Sequence, residues 1–214
     1  ATGPPPCPLP LAARTPKWAA MFNDISSPLS LLKTRRSGKP RDLVAPGPDA
    51  AQLREMLEIA IRTPDHGKIG PWRFIIIEQE QREAFATLLE GTLRADKGEV
   101  APEEIEAARA FALQAPCLVV LVSSPDTNRP IPVWEQELSA GAAAMNLLHA
   151  AHALGFAGGW LTAWPAFSDH VRDAFGTAPD RIAGFIFIGT PARELQERPR
   201  PKYEDVVSVW TPPA

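Results

Sequence analysis

Apolar residues recur at three- and four-residue spacing over Leu53, Met56, Leu57, Ala60 and Ile61, which predicts a helix opening near Asp49 and closed by Thr63-Pro64. Two short runs break that rhythm. Phe74–Ile77 and Cys117–Val122 are continuous, branched and apolar, as strands buried on both faces are. Between them the pattern predicts helices from Gln81 to Leu93 and from Glu103 to Leu113. A helix from Ser27, with Pro28 at its first position, runs to the Arg35-Arg36 pair, where Gly38 is expected to supply a left-handed cap. A long Ala- and Leu-rich helix spans Trp134 to Leu154 and closes at Gly155. Strands follow at Gly158–Leu161 and Ile182–Ile188, with a short helix capped by Ser168 between them. The order is α+β, a central mixed sheet flanked by helices, without the regular alternation of a dinucleotide-binding fold.

The long helix is apolar all round, more than one shallow sheet can cover, and this predicts a homodimer with that helix at its interface. Glu135, Glu137, His149 and His152 leave too short an uncharged run for a membrane span.

Composition narrows the field. The 214 residues are 45% hydrophobic and 22% charged, and suit one domain, expected over residues 26–214. Residues 1–25 are rich in proline and are expected to be a disordered extension. A formal charge of -3 argues against nucleic acid as a partner, because such binding needs many neutralised phosphates. Cys7 and Cys117 lie in unrelated contexts, which fits neither a disulfide framework nor a metal site, and a reducing cytoplasm is expected.

On this acidic chain Lys33 to Arg41 packs five cations into nine residues. Arg35, Arg36 and Ser37 offer guanidinium forks and a hydroxyl that suit a phosphate, although a solvated basic turn would have the same composition. A second polar segment, Thr63-Pro64-Asp65-His66-Gly67-Lys68, joins a helix to a strand and brings His66 and Lys68 together. Arg62 stands at its start, as a ligand group or as a complement to the helix dipole. Arg198, Arg200 and Lys202 form a third cationic patch, spread by prolines. No glycine-rich phosphate loop and no serine elbow appears. His149 and His152 lack a third metal ligand in sequence, which leaves packing or solvent-facing roles.

Arg35-Arg36-Ser37, the Pro64–Lys68 loop with Pro71-Trp72, Trp134-Glu135-Gln136-Glu137 with Ser139-Ala140-Gly141, Gly155-Phe156 with Gly158-Gly159-Trp160, and Gly189-Thr190-Pro191 occur in an order that resembles the FMN-dependent nitroreductase family. The resemblance is strongest to its small NAD(P)H nitroreductase branch and covers about residues 30–191. It implies a homodimeric α+β fold with FMN at the subunit interface and NAD(P)H as co-substrate, reducing nitroaromatics, quinones or similar acceptors by a ping-pong mechanism. In that pattern Arg35, Arg36 and Ser37 hold the FMN phosphate and ribityl oxygens. Arg62 and His66 contact the flavin, Lys68 or Arg36 faces its N1–C2=O edge, and Trp160, Leu161 and Thr162 line it. Gly158 and Gly159 leave room for the flat ring, and Arg200 completes the phosphate site, with Arg198 and Lys202 as alternatives. Nicotinamide falls near 150–155, whose side chains offer little chemistry. A non-catalytic flavin-binding or sensing module is the alternative.

Overall fold

The computed structural model describes residues 22–213. Seven helices occur in this stretch: α1 (Pro28–Thr34), α2 (Ala50–Ala60), α3 (Arg82–Lys97), α4 (Pro102–Leu113), α5 (Val133–Ala153), α6 (Asp169–Asp173) and α7 (Tyr203–Val206). Five strands, β1 (Leu43–Val44), β2 (Trp72–Ile77), β3 (Cys117–Ser123), β4 (Ala157–Leu161) and β5 (Arg181–Pro191), form one sheet in the order β1-β5-β3-β2, with β4 also on the outer edge of β5.

Side chains on β3 alternate across the sheet, and every one of its seven residues is buried. Leu118, Val120 and Val122 join Phe185 and Phe187 beneath α3, α4 and α6, whereas Val119 and Leu121 join Ile186 and Ile188 beneath α2 and α5. All four pairings are antiparallel, so no parallel component of the expected mixed sheet lies among these strands. The α3–α4 connection explains one of them: a two-helix hairpin returns the chain to the end of the sheet it left.

Local chemistry sets the elements. Asp49 caps α2 through a reciprocal pair with Gln52, and Ser27 and Ser168 cap α1 and α6 through their hydroxyls. The helix α5 buries Ala140, Ala143, Ala144, Leu147 and Leu148 against the sheet. On its other side Trp134 and Leu138, one turn apart, remain 66% and 55% exposed, with Ala142 exposed one turn further. On α1, Leu29 and Leu32 are also exposed.

Of the extension expected over residues 1–25, positions 1–21, Cys7 included, lie outside the described residues. The remainder belongs to the fold: Phe22 is buried, and the Asn23 side chain accepts from the Arg36 N–H at 2.7 Å while donating to the Arg36 carbonyl at 3.2 Å. Among the described residues packing therefore includes Phe22 and Asn23, ahead of the boundary expected at residue 26. Among the described residues no helix is long and apolar enough to cross a membrane.

Candidate functional site

The helix α1 ends at Thr34 and the chain leaves it extended at Arg35. Gly38 does not take the left-handed cap expected of it. Its N–H donates instead to the Gly158 carbonyl at 3.1 Å, and a Cβ there would lie 2.6 Å from the Leu43 side chain. Residues 35–38 thus lie along the start of β4 as an open strap, and Asn23 fixes the Arg36 main chain from the other side.

On this strap Arg35 is partly buried and donates to the Ser37 hydroxyl at 3.1 Å. Among the described residues it forms no ion pair. Arg36 donates through Nε to the Gln196 carbonyl at 2.5 Å, and its nearest carboxylate, the exposed Glu197, is 4.0 Å away. The C-terminal segment brings further cations. Burial lowers the pKa of Arg35, and Arg200 adds to the shift; burial lowers that of Arg36, followed by repulsion from Arg198 and Arg200. A cleft of about 400 Å³ beside them is lined by the cations Arg36, Lys39, Arg193 and Arg198 with Ser37, and also by the carboxylates Asp42, Glu194 and Glu197, of which Asp42 pairs with Arg193 at 3.5 Å. Two partly desolvated guanidinium groups with a hydroxyl and weak internal neutralisation are a donor set of the kind that suits an anion such as a phosphate monoester. A larger cavity of about 650 Å³ lies between α2 and the ends of β2 and β3, but its lining is mainly apolar and includes no residue of this cluster.

Trp160 and Leu161, at the end of β4, and Thr162 just beyond lie on the same sheet edge. The Trp160 indole donates to the Ala183 carbonyl at 3.0 Å and covers Gly184, where a Cβ would lie 1.9 Å from its ring nitrogen. Thr162 is exposed. The space over Gly158 and Gly159 is not free for a flat ring: Cβ atoms there would strike Leu148, the Gly38 carbonyl and Pro40. Gly159 lets the strap lie down on β4, and Gly158 makes room for Leu148 of α5.

The second group of expected residues is elsewhere. Asp65 accepts from the N–H groups of Ile69 and Gly70, and Lys68 adopts a left-handed backbone at φ 55°. His66 pairs with Glu135 at 2.8 Å, Ser139 donates to the Pro64 carbonyl, and Arg129 donates to the Gly67 carbonyl. Arg62, His66 and Lys68 are exposed, in the turn between α2 and β2. The loop therefore sits at the N-terminal end of α5, whereas the Arg35 strap lies by His152 in its last turn. Those ends are about 25 Å apart at about 1.5 Å per residue. Across the sheet the two groups are separated by the width of β4-β5-β3-β2, about 14 Å at about 4.8 Å per step. Within one chain they occupy diagonally opposite corners.

Three contributors were not identified as site residues from sequence. Asn23 holds Arg36, Glu135 holds His66, and His152 is wholly buried beside Arg35. Glu135 stood within a recognised motif without a partner, and nothing local in the sequence links the other two to the strap.

Fold and cluster together define an α+β protein with a cationic cluster at one edge of an antiparallel sheet. The Nitroreductase family model matches residues 32–190. A relative named "Putative NAD(P)H nitroreductase YdjA", from Escherichia coli strain K12, is 41% identical over 165 residues, covering 76% of this chain and 87% of its own. Among solved structures, a nitroreductase-like family protein from Bacillus cereus superposes with a TM-score of 0.68 at 19% identity, covering 93% of this chain and 98% of that one. One from Desulfovibrio desulfuricans, described as a "putative nitroreductase in complex with fmn", gives 0.65 at 22% identity over 87% and 99%. The chain belongs to the nitroreductase family.

Proposed function

We propose that this protein is a homodimeric FMN oxidoreductase that takes reducing equivalents from NAD(P)H and reduces nitroaromatic, quinone or similar small acceptors. The observation that carries the reading is the strap: Arg35 and Arg36 are desolvated, poorly neutralised and turned toward Ser37 and the Arg198–Arg200 segment. That donor set fits a phosphate monoester, the anionic end of FMN. Arg35, Arg36 and Ser37 hold the phosphate side, with Arg200 or Arg198 completing it, and Trp160, Leu161 and Thr162 border the ring. When bound, FMN supplies the hydride-accepting and electron-donating chemistry, alternately with NAD(P)H and acceptor.

The chain's own residues bind and orient. His66 and Lys68 cannot reach a flavin held by the strap of their own chain across about 25 Å, whereas Arg62 lies nearer, beside Thr63, whose hydroxyl accepts from the Asn146 amide six residues before His152 on α5. In the proposed dimer, the loop of each protomer completes the partner's site, and the exposed Trp134–Leu138–Ala142 stripe of α5 is covered.

Subunit mixing tests this arrangement. A protomer carrying Arg35→Ala and Arg36→Ala is inactive alone, and one carrying His66→Ala is impaired. In mixed dimers one of the two sites has an intact strap and an intact loop, so activity returns on mixing. No recovery, with mixed dimers verified by mass, overturns the shared site. Steady NAD(P)H oxidation with a nitroaromatic or quinone is expected of the yellow protein. Flavin without turnover leaves only a binding module, and a colourless protein that takes up no FMN ends the reading.

A further inference from the structure

The last turn of α5 carries a group that packing does not explain. His152 is 0% exposed, and neither ring nitrogen has a hydrogen-bond partner among the described residues. Main-chain groups of Leu148 and Arg36 approach the ring without hydrogen-bond geometry. Leaving such groups unbonded carries a desolvation cost that a leucine at this position would avoid. The ring lies close to the strap: the Arg36 main chain approaches it, Arg35 is the charge that acts on it most strongly, His149 is one turn back on the same helix, and Arg200 acts on Arg35 from the C-terminal segment.

We propose that His152 is a positioning residue of the anion grip, a neutral imidazole that orients the Arg35 guanidinium toward the ligand phosphate from behind. The identity of that phosphate as FMN's rests on the function proposed above; the grip on an anion does not. The chemistry of the alternatives favours imidazole here. A carboxylate behind Arg35 would orient it but also neutralise it and compete with the incoming phosphate, and an apolar side chain would leave it undirected. A neutral imidazole presents one lone pair and one N–H. Arg35 has five N–H donors and gives one to Ser37; no hydrogen bond joins it to the imidazole among the described residues, so the neutral ring offers an acceptor that a further N–H takes as the fork turns to the ligand, while its outer edge keeps full charge. The environment keeps the ring neutral: burial first, then the Arg35 charge, push its pKa down to about 4, far below neutral pH.

The test compares two flavins that share a ring and differ in the phosphate. Apoprotein is titrated with FMN and with riboflavin, for wild type, His152→Leu and His152→Gln, each checked by a thermal melt. His152→Leu is expected to weaken FMN by about tenfold or more while leaving riboflavin within about twofold, and His152→Gln, which keeps an acceptor and a donor, to restore FMN binding. Equal loss for both flavins, or no loss for either, overturns the proposal.

If His152→Leu does not fold, wild-type apoprotein decides through the ring ¹⁵N signals of His152 during titration with inorganic phosphate. Signals that move with phosphate occupancy support the proposal, and signals that stay fixed while the Arg35 signals respond overturn it. Should wild type bind phosphate but no flavin, the FMN reading fails and the phosphate titration still decides the role of His152.

Discussion

The two ends of α5 handle charge in opposite ways. At its N-terminal end the His66 loop is self-satisfied: His66 is paired with Glu135, Asp65 caps the turn, and Arg129 holds the Gly67 carbonyl. At its C-terminal end Arg35 is partly desolvated without an ion pair, Arg36 meets a carboxylate only at 4.0 Å, and His152 has two unbonded nitrogens. One end has its imidazole and turn groups satisfied within the chain, its exposed Arg62 and Lys68 standing in water without an ion pair among the described residues, and the other holds partly desolvated positive charge that an anion would relieve. Pre-formed geometry with satisfied bonds suits presenting side chains to a neighbour; desolvated cations suit capturing a ligand.

Breaking the unfinished end should have the largest consequence. Replacing Arg35 and Arg36 together by alanine is expected to weaken FMN more than about hundredfold, at about 1.5–3 kcal/mol per charge-assisted contact, as read by flavin absorbance after gel filtration. Retained stoichiometric FMN would erase the contrast between the ends.

Acid tests the same end through His152. Its folded pKa, about 4, lies below the ordinary 6.5, so as pH falls the unfolded chain takes up this proton first. The stabilisation by the neutral ring is therefore complete above about pH 6.5, drains away between 6.5 and 4, and has no further slope below that. The loss in apoprotein is on the order of 3 kcal/mol by urea unfolding. His152→Leu should lack that slope, and subtracting its profile removes what the carboxylates contribute.

A smaller effect is expected at Asn23. Its amide meets both the N–H and the carbonyl of Arg36, so Asn23→Ala should cost about 1–2 kcal/mol of stability by thermal melt and loosen FMN with it. The smallest change in stability belongs to the finished end. The His66–Glu135 pair is exposed, so His66→Ala should alter stability by less than about 0.5 kcal/mol while lowering NAD(P)H turnover. A large loss of stability with turnover intact would give the loop a purely architectural role.

Sequence revealed these two ends unequally. The α2 stripe and its start near Asp49 were legible because periodicity is local, and β3 was legible because its run Cys117–Val122, buried on both faces, has no polar position. The cations of the strap were legible as a cluster. Their partners were not: Asn23 and Arg36 are 13 residues apart and His66 and Glu135 are 69 apart, and nothing in the intervening chain encodes either meeting. The two residues of β1 escaped because a strand so short has no period. Gly158 and Gly159 were read as leaving room for a flat ring, but Leu148 of α5 stands against Gly158 and the chain's own strap against Gly159, since a missing side chain does not specify what fills its space.

The diagonal placement of strap and loop carries a quantitative consequence. If neither corner suffices alone, the fraction of chain holding coenzyme follows the fraction paired, so progressive dilution should bleach the protein along the curve of its dissociation, with the colour lost at the concentration where the pairs come apart.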